Sequence, residues 1–167
     1  MDTSFKKVEF ASSLENLYIV EKFVENICDS YNIFNSYYGN ILVSVTEAIK
    51  NAIIHGNINN SNKNVAISFE ANDKGLTFII EDEGNGFDFN NIPDPLSIEN
   101  TTQTGRGLFL VNSLADEVQF KNQGRVIEIS FKISSINYEI AIDRINKLLK
   151  YNKVKFTNII DSNKSKN

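Results

Sequence analysis

The chain has 167 residues, 41% of them hydrophobic and 23% charged, which suits one soluble domain with a real core; eight Gly and two Pro exclude a collagen-like or linker-dominated protein. A formal net charge of −4 argues against a nucleic-acid backbone as the main partner and favours a basic or neutral protein surface. No apolar run approaches the roughly 20 residues that cross a bilayer.

The first ten residues, MDTSFKKVEF, lack the apolar core of a secretory signal. Cys28 is the only cysteine, so an intramolecular disulfide or a cysteine-cluster metal site is excluded. A cytoplasmic protein is the expectation. Residues 5–11 read as a short strand. From Ser13, a fair N-cap, Leu14, Leu17, Val20, Phe23, Val24, Ile27 and Tyr31 recur at three- and four-residue steps, which predicts a helix. A second helix is expected from about Ser36 to His55, apolar around most of its circumference, with Gly56 ending it near the C′ position.

Two strands follow, VAISFEA and LTFIIED, joined by Asn72-Asp73-Lys74-Gly75 as a hairpin. The segment from Glu83 to Thr104 has no period and holds both prolines, the mark of a functional or disordered loop. GLFLVNSLADEV predicts a third helix from Gly107 to about Ala115. EVQFKN and RVIEISFKI make a last hairpin across Gln123-Gly124. Residues 1–134 form one domain on this reading, 135–155 a helical extension of it, and 156–167 a disordered tail. Hairpin-joined strands and intervening helices predict an α+β two-layer sandwich, its sheet mixed but mostly antiparallel, with helices on one face.

Three stretches carry polar residues that a core alone does not explain. In TEAIKNAIIHGN, Glu47 and Asn51 stand one helical turn apart on one face. An Asn carbonyl oxygen is a hard ligand suited to Mg²⁺, and a nearby Glu can accept a proton from a nucleophile. The plainer alternative is a Glu at the solvent edge with Asn51 bonded to a loop. In IIEDEGNGFD, Asp82 ends a strand before Gly84 and Gly86; an Asp there can accept from an adenine amino group, where guanine would offer a carbonyl oxygen. A simple turn is the alternative. In TGRGLFLV, Gly105 and Gly107 open a helix whose free N–H groups make an anion site, and Arg106 suits phosphate geometry. Neither a Walker A loop nor a dinucleotide fingerprint is present.

Each stretch is common alone; their order and spacing are not. Together they resemble the GHKL, or histidine kinase-like, ATPases. Within that superfamily they are most similar to the anti-sigma factor serine-protein kinases of partner-switching systems, the RsbW/SpoIIAB type. VTEAIKNAIIHGN looks like the N box, DEGNGFD like the first glycine box, and PDPLSIEN…GRGLFLVNSLADEV like the lid and second glycine box, over about residues 8–134.

The resemblance implies a Bergerat-type ATP-binding fold with ATP and Mg²⁺ as cofactors. It makes Glu47 the general base, Asn51 the Mg²⁺ ligand and Asp82 the adenine-reading carboxylate. Gly84 and Gly86 would shape the adenine pocket, Gly105, Arg106 and Gly107 would embrace the phosphates, and residues 87–104 would be the lid. It further implies a protein serine kinase that phosphorylates a STAS-domain anti-anti-sigma partner, sequesters a sigma factor and forms a homodimer, with no direct nucleic-acid or membrane contact. A non-catalytic ATP-dependent binding module and a histidine-kinase-like ATPase subunit are the alternatives. Relatives carry Gly-Thr where this chain has Gly124-Arg125. His55 reads as a helix-end residue that packs or caps, Cys28 as an inert core thiol, and Lys147, Lys150, Lys153 and Lys155 as a solvated face.

Overall fold

The computed structural model describes residues 6–33, 35–72, 75–89 and 105–133. The backbone groups into two units, Met1–Ile133 and Ser134–Asn167, and every described residue lies in the first. The expected helix at 135–155, the tail at 156–167, the turn pair 73–74 and lid residues 90–104 therefore lie outside the described residues.

Among the described residues, five strands form one sheet, antiparallel at every pairing: β1 (Lys6–Ala11), β2 (Asn64–Asn72), β3 (Gly75–Asp82), β4 (Glu117–Lys121) and β5 (Val126–Phe131), in the order β1-β2-β3-β5-β4. Strand alternation sends Val65, Ile67, Phe69, Leu76, Phe78, Ile80, Ile127, Ile129 and Phe131 to one buried face. Rings run across it, Phe69 tilted against Phe78 at 5.5 Å and Phe78 edge-to-face with Phe131 at 6.3 Å between centroids. The opposite face carries Lys7, Glu9, Glu70, Thr77, Glu81, Glu117 and Gln119, the polar half of the same alternation.

Three helices complete the described fold: α1 (Leu17–Ser30), α2 (Asn35–Asn51) and α3 (Arg106–Leu114). The α+β class holds, with a sheet more uniformly antiparallel than the mixed arrangement expected. In α1 the apolar stripe buries Val20, Phe23, Val24, Ile27 and Cys28. Leu14 leaves that stripe and is exposed, because Ser13 caps a separate 3₁₀ turn over Leu14–Asn16 and the α-helical register begins only at Leu17. Burial pushes the Cys28 thiol up to about 11, as an inert core thiol requires.

Helix α2 buries Ile41, Val45, Ala48 and Ile49 but leaves Val43 exposed, so it is two-faced and not apolar all round. It continues into a π-helical turn, Ala52–Gly56, closed by Asn57 N–H donating to Ala52 O at 2.8 Å. Gly56 therefore ends the helix inside this turn, with no positive φ. Its need for glycine is steric: a Cβ there would lie 2.5 Å from Asp82 Cγ. Asn57, buried at 1% exposure, accepts from Glu83 N–H at 2.9 Å and donates to Asn64 O at 2.8 Å. That side chain ties the end of the helix to the start of β2 and the end of β3.

Candidate nucleotide-binding site

An open cavity of about 290 Å³ lies where the end of α2, the end of β3, the start of α3 and the β4–β5 turn meet. Its wall includes Asn51, Asp82, Gly86 and Gly105, four of the residues singled out from sequence. This volume is near the lower end of the range for small-molecule pockets.

Asp82 stands at the β3 end because the ladder runs one bond past its last pair: Asp82 N–H donates to Arg125 O at 3.0 Å. Its Oδ1 accepts from Gly84 N–H at 2.8 Å. Gly56 and Gly84 press against it; a Cβ on Gly84 would lie 2.0 Å from Gly56 O and 2.7 Å from Asp82 Oδ1. Both glycines lie against the carboxylate, and Asp82 lines the cavity. Burial pushes the Asp82 carboxyl above its ordinary value, while the Gly84 N–H and the charges of Lys63 and Arg125 oppose that shift. Gly86 has φ +77°, and a Cβ there would meet Gln123 O at 2.0 Å, so only glycine lets the chain pass under the β4–β5 turn.

Phe87 N–H then donates to Gln123 O at 3.0 Å. Its ring packs edge-on against Phe120 at 5.4 Å, and Phe89 stacks on Phe120 at the same distance. The first residues of the expected lid are thus held by the β4–β5 hairpin.

Across the cavity, α3 begins at Gly105, whose φ of +90° is a left-handed N-cap conformation. The first intrahelical bond, Phe109 N–H to Gly105 O at 3.0 Å, leaves the preceding N–H groups of the first turn without helical partners. Gly107 brings this helix start onto α2: a Cβ there would lie 3.0 Å from Glu47 Oε2 and 3.4 Å from the Asn51 amide atoms. Glu47 Oε1 is engaged by Lys50 Nζ at 2.7 Å, one turn along α2. The Asn51 Nδ2 atom is buried without a hydrogen-bond partner. Rotation of the amide would present its oxygen at the same place.

Glu47, Asn51 and Gly107 therefore come together, and Gly84 acts through its contact with Asp82. Glu47, Gly84 and Gly107 stand behind the cavity wall and not on it, and Arg106, exposed at the first position of α3, is also outside it. His55, read from sequence as a packing or capping residue, is exposed and lines the cavity. The signal was in the spacing: 47, 51 and 55 are successive four-residue steps on one helix face. Phe87, the first residue of the expected lid, and Arg125, noted as a departure from the family pattern, also line the wall, as does Phe120, which the sequence reading did not mark.

An adenine nucleotide with its magnesium ion fits this inventory. A buried amide nitrogen without a hydrogen-bond partner belongs to a wall residue, the N-cap of a helix lines the cavity, and a half-buried carboxylate, Asp82, lines it too.

Comparison with known proteins points the same way. The family model for the histidine kinase-like ATPase domain matches residues 10–131. The chain is 30% identical over 112 residues to the serine-protein kinase RsbW of Oceanobacillus iheyensis, covering 62% of this chain and 71% of that one. It is 32% identical over 91 residues to the serine-protein kinase RsbW of Bacillus subtilis, covering 50% and 57%. For the Staphylococcus aureus serine-protein kinase RsbW the figures are 31% over 97 residues, 53% and 61%. The solved structure of the RsbU and RsbW domains of a Mycobacterium tuberculosis protein shares the fold, with a TM-score of 0.51 at 14% identity, covering 77% of this chain and 32% of that one.

Proposed function

The chain belongs to the histidine kinase-like ATPase family, in its RsbW-type serine-protein kinase branch, and from that premise we propose that it is an ATP-dependent protein serine kinase and anti-sigma factor. The observation that carries the reading is the meeting of Glu47, Asn51 and Gly107 at the start of α3, with Asn51 on the wall of the same cavity as Asp82.

Asp82 would accept the exocyclic amino group of adenine, and Gly86 would let the base approach the backbone. The N–H groups of the first α3 turn would hold the phosphates, with Gly105 and Gly107 keeping side chains out of their way and Arg106 adding a cation. Asn51 would hold Mg²⁺, which when bound neutralises charge across the phosphates. Glu47 would take the proton from a protein serine hydroxyl as that oxygen bonds to the γ-phosphorus and the bond to ADP breaks. Lys50 anchors one oxygen of Glu47 and leaves Oε2, the atom beside Gly107, for that proton.

The acceptor would be a STAS-domain anti-anti-sigma protein and the sequestered partner a sigma factor, with the kinase acting in the cytoplasm as a homodimer. No described helix is long and apolar enough to cross a membrane. The test is transfer of labelled γ-phosphate from Mg·ATP to STAS-domain proteins of the same source, wild type against Glu47→Gln. Label on a partner serine that disappears in the variant supports the kinase with Glu47 as its base. ATP binding with no partner labelled would leave a binding module in its place.

A further inference from the structure

Asn57 lies one residue past Gly56, buried and outside the cavity wall. Strands β2 and β3 pair as far as Val65 and Asp82. At the next position, Asn64 opposite Glu83, side chains bridge the two strands. Asn57 Oδ1 accepts from Glu83 N–H at 2.9 Å and Asn57 Nδ2 donates to Asn64 O at 2.8 Å, so the carboxamide sits between the strand ends like an extra peptide group. Only this orientation of the amide satisfies both partners.

The turn beyond this amide runs against backbone preference. Ile58 and Asn59 have φ of +55° and +53°, in the left-handed region that a β-branched side chain disfavours, and Ile58 is 73% exposed, with little packing to offset it. Main-chain bonds hold that path: Asn57 N–H donates to Ala52 O, Asn59 N–H to Ile53 O, and Asn60 N–H to Asn57 O.

The two glycines that press on the Asp82 carboxylate belong to the two segments the amide joins. Gly56 adjoins Asn57 and Gly84 adjoins Glu83, and a Cβ on either would lie within 2.7 Å of a carboxylate oxygen. The spacing of those segments is therefore the spacing of the walls around Asp82.

We propose that Asn57 is a positioning residue for base discrimination: by joining Glu83 N–H to Asn64 O, it fixes the gap in which the Asp82 carboxylate meets a purine 6-amino group. This rests on the adenine-nucleotide reading of the cavity and deepens it. Asn57 acts through Asp82. Without the tie, Asp82 keeps its charge but not its fixed place. Affinity then falls for a base that offers an amino group, while the penalty on one that offers a carbonyl oxygen relaxes.

The experiment is a calorimetric titration of the full chain with adenosine, ADP and inosine diphosphate, whose base carries a carbonyl oxygen in place of the amino group. Wild type is compared with Asn57→Ala and Asn57→Ser, at temperatures where circular dichroism shows each folded. The expected result is an ADP-to-inosine-diphosphate affinity ratio narrowed about fivefold in Asn57→Ala, with the ADP-to-adenosine ratio unchanged. Asn57→Ser, shorter but still able to donate and accept, narrows it less. Should neither variant fold, amide exchange in wild type decides, because ADP should slow exchange at Glu83 N–H more than inosine diphosphate does.

Lower stability with an unchanged ADP-to-inosine-diphosphate ratio would overturn the proposal and leave Asn57 a structural tie. A changed ADP-to-adenosine ratio, or equal protection of Glu83 N–H by both diphosphates, would overturn it too. Wild type that binds both diphosphates alike would remove Asp82 as the base reader and the positioning role with it. Wild type that binds none of the three would instead reject the nucleotide reading itself.

Discussion

The two ends of the cavity are built on different terms. At the Asp82 end every wall is braced. Gly56 and Gly84 clasp the carboxylate, Gly84 N–H bonds it, and Asn57 ties the helix end to both neighbouring strands. Gln123 O holds Phe87 N–H and would collide with any side chain at position 86. At the α3 end, among the described residues, polar groups are left open: an Asn51 amide nitrogen without a hydrogen-bond partner, a helix start with no side-chain cap, and a glutamate steadied by one lysine. On the proposed reading, one end is shaped in advance by the fold, and the other would be completed by the nucleotide and its metal.

The largest effect that would break this contrast comes from the braced end. Gly84→Ala puts a methyl 2.0 Å from Gly56 O, backbone against backbone, with no side chain free to yield. The expected cost is about 3 kcal/mol of stability together with loss of nucleoside binding, read by urea unfolding and titration. Asp82→Ala removes a charged acceptor without crowding; adenosine affinity should fall roughly 10- to 100-fold with the fold intact.

The pH dependence of the same residue sharpens the point, because two quantities move oppositely. Burial raises the Asp82 carboxyl, so its protonated form is favoured by folding. Its contribution to stability is full below the unfolded carboxylate value and is lost as pH rises through the shifted one. Adenosine affinity should instead rise through that window, since only the ionised carboxylate accepts from the adenine amino group without competition. Parallel unfolding and titration series, wild type against Asp82→Ala, would separate the two slopes.

At the open end the effects are smaller and confined to phosphate-bearing ligands. Asn51→Ala should weaken Mg·ATP by about tenfold and leave adenosine unchanged. Lys50→Met, removing a partly exposed ion pair, should alter stability by less than about 0.5 kcal/mol. Its expected signature is a lower turnover at unchanged ATP affinity, with Lys50→Arg restoring it. A fall in adenosine affinity in either Asn51→Ala or Lys50→Met would mean that the two ends are not independent.

Sequence patterning captured elements whose residues face one partner each. The stripe of α1 was legible from Val20 to Cys28 because three- and four-residue steps meet one buried surface. Leu14 fitted that rhythm and still turned outward, since a capped 3₁₀ turn shifts the register before Leu17. Gly56 was noticed for the wrong cause; chain-end geometry is local and readable, whereas the approach of Asp82 comes from a strand 26 positions later.

The site was half legible in the same way. Glu47 and Asn51 stood out as polar residues in an apolar helix, whereas His55, which lines the cavity, was read as a residue that packs or caps. Phe87, Phe120 and Arg125 reach the cavity only because β3, β4 and β5 pair as they do, a long-range fact that no short motif encodes.

The most direct measurement of the central claim is a titration of the full chain with adenosine and with ATP, each with and without Mg²⁺. A preformed base end predicts that adenosine binds at the same affinity with or without the metal, while ATP gains affinity only when Mg²⁺ is present. Adenosine binding that requires Mg²⁺, or no binding of either ligand, would contradict it.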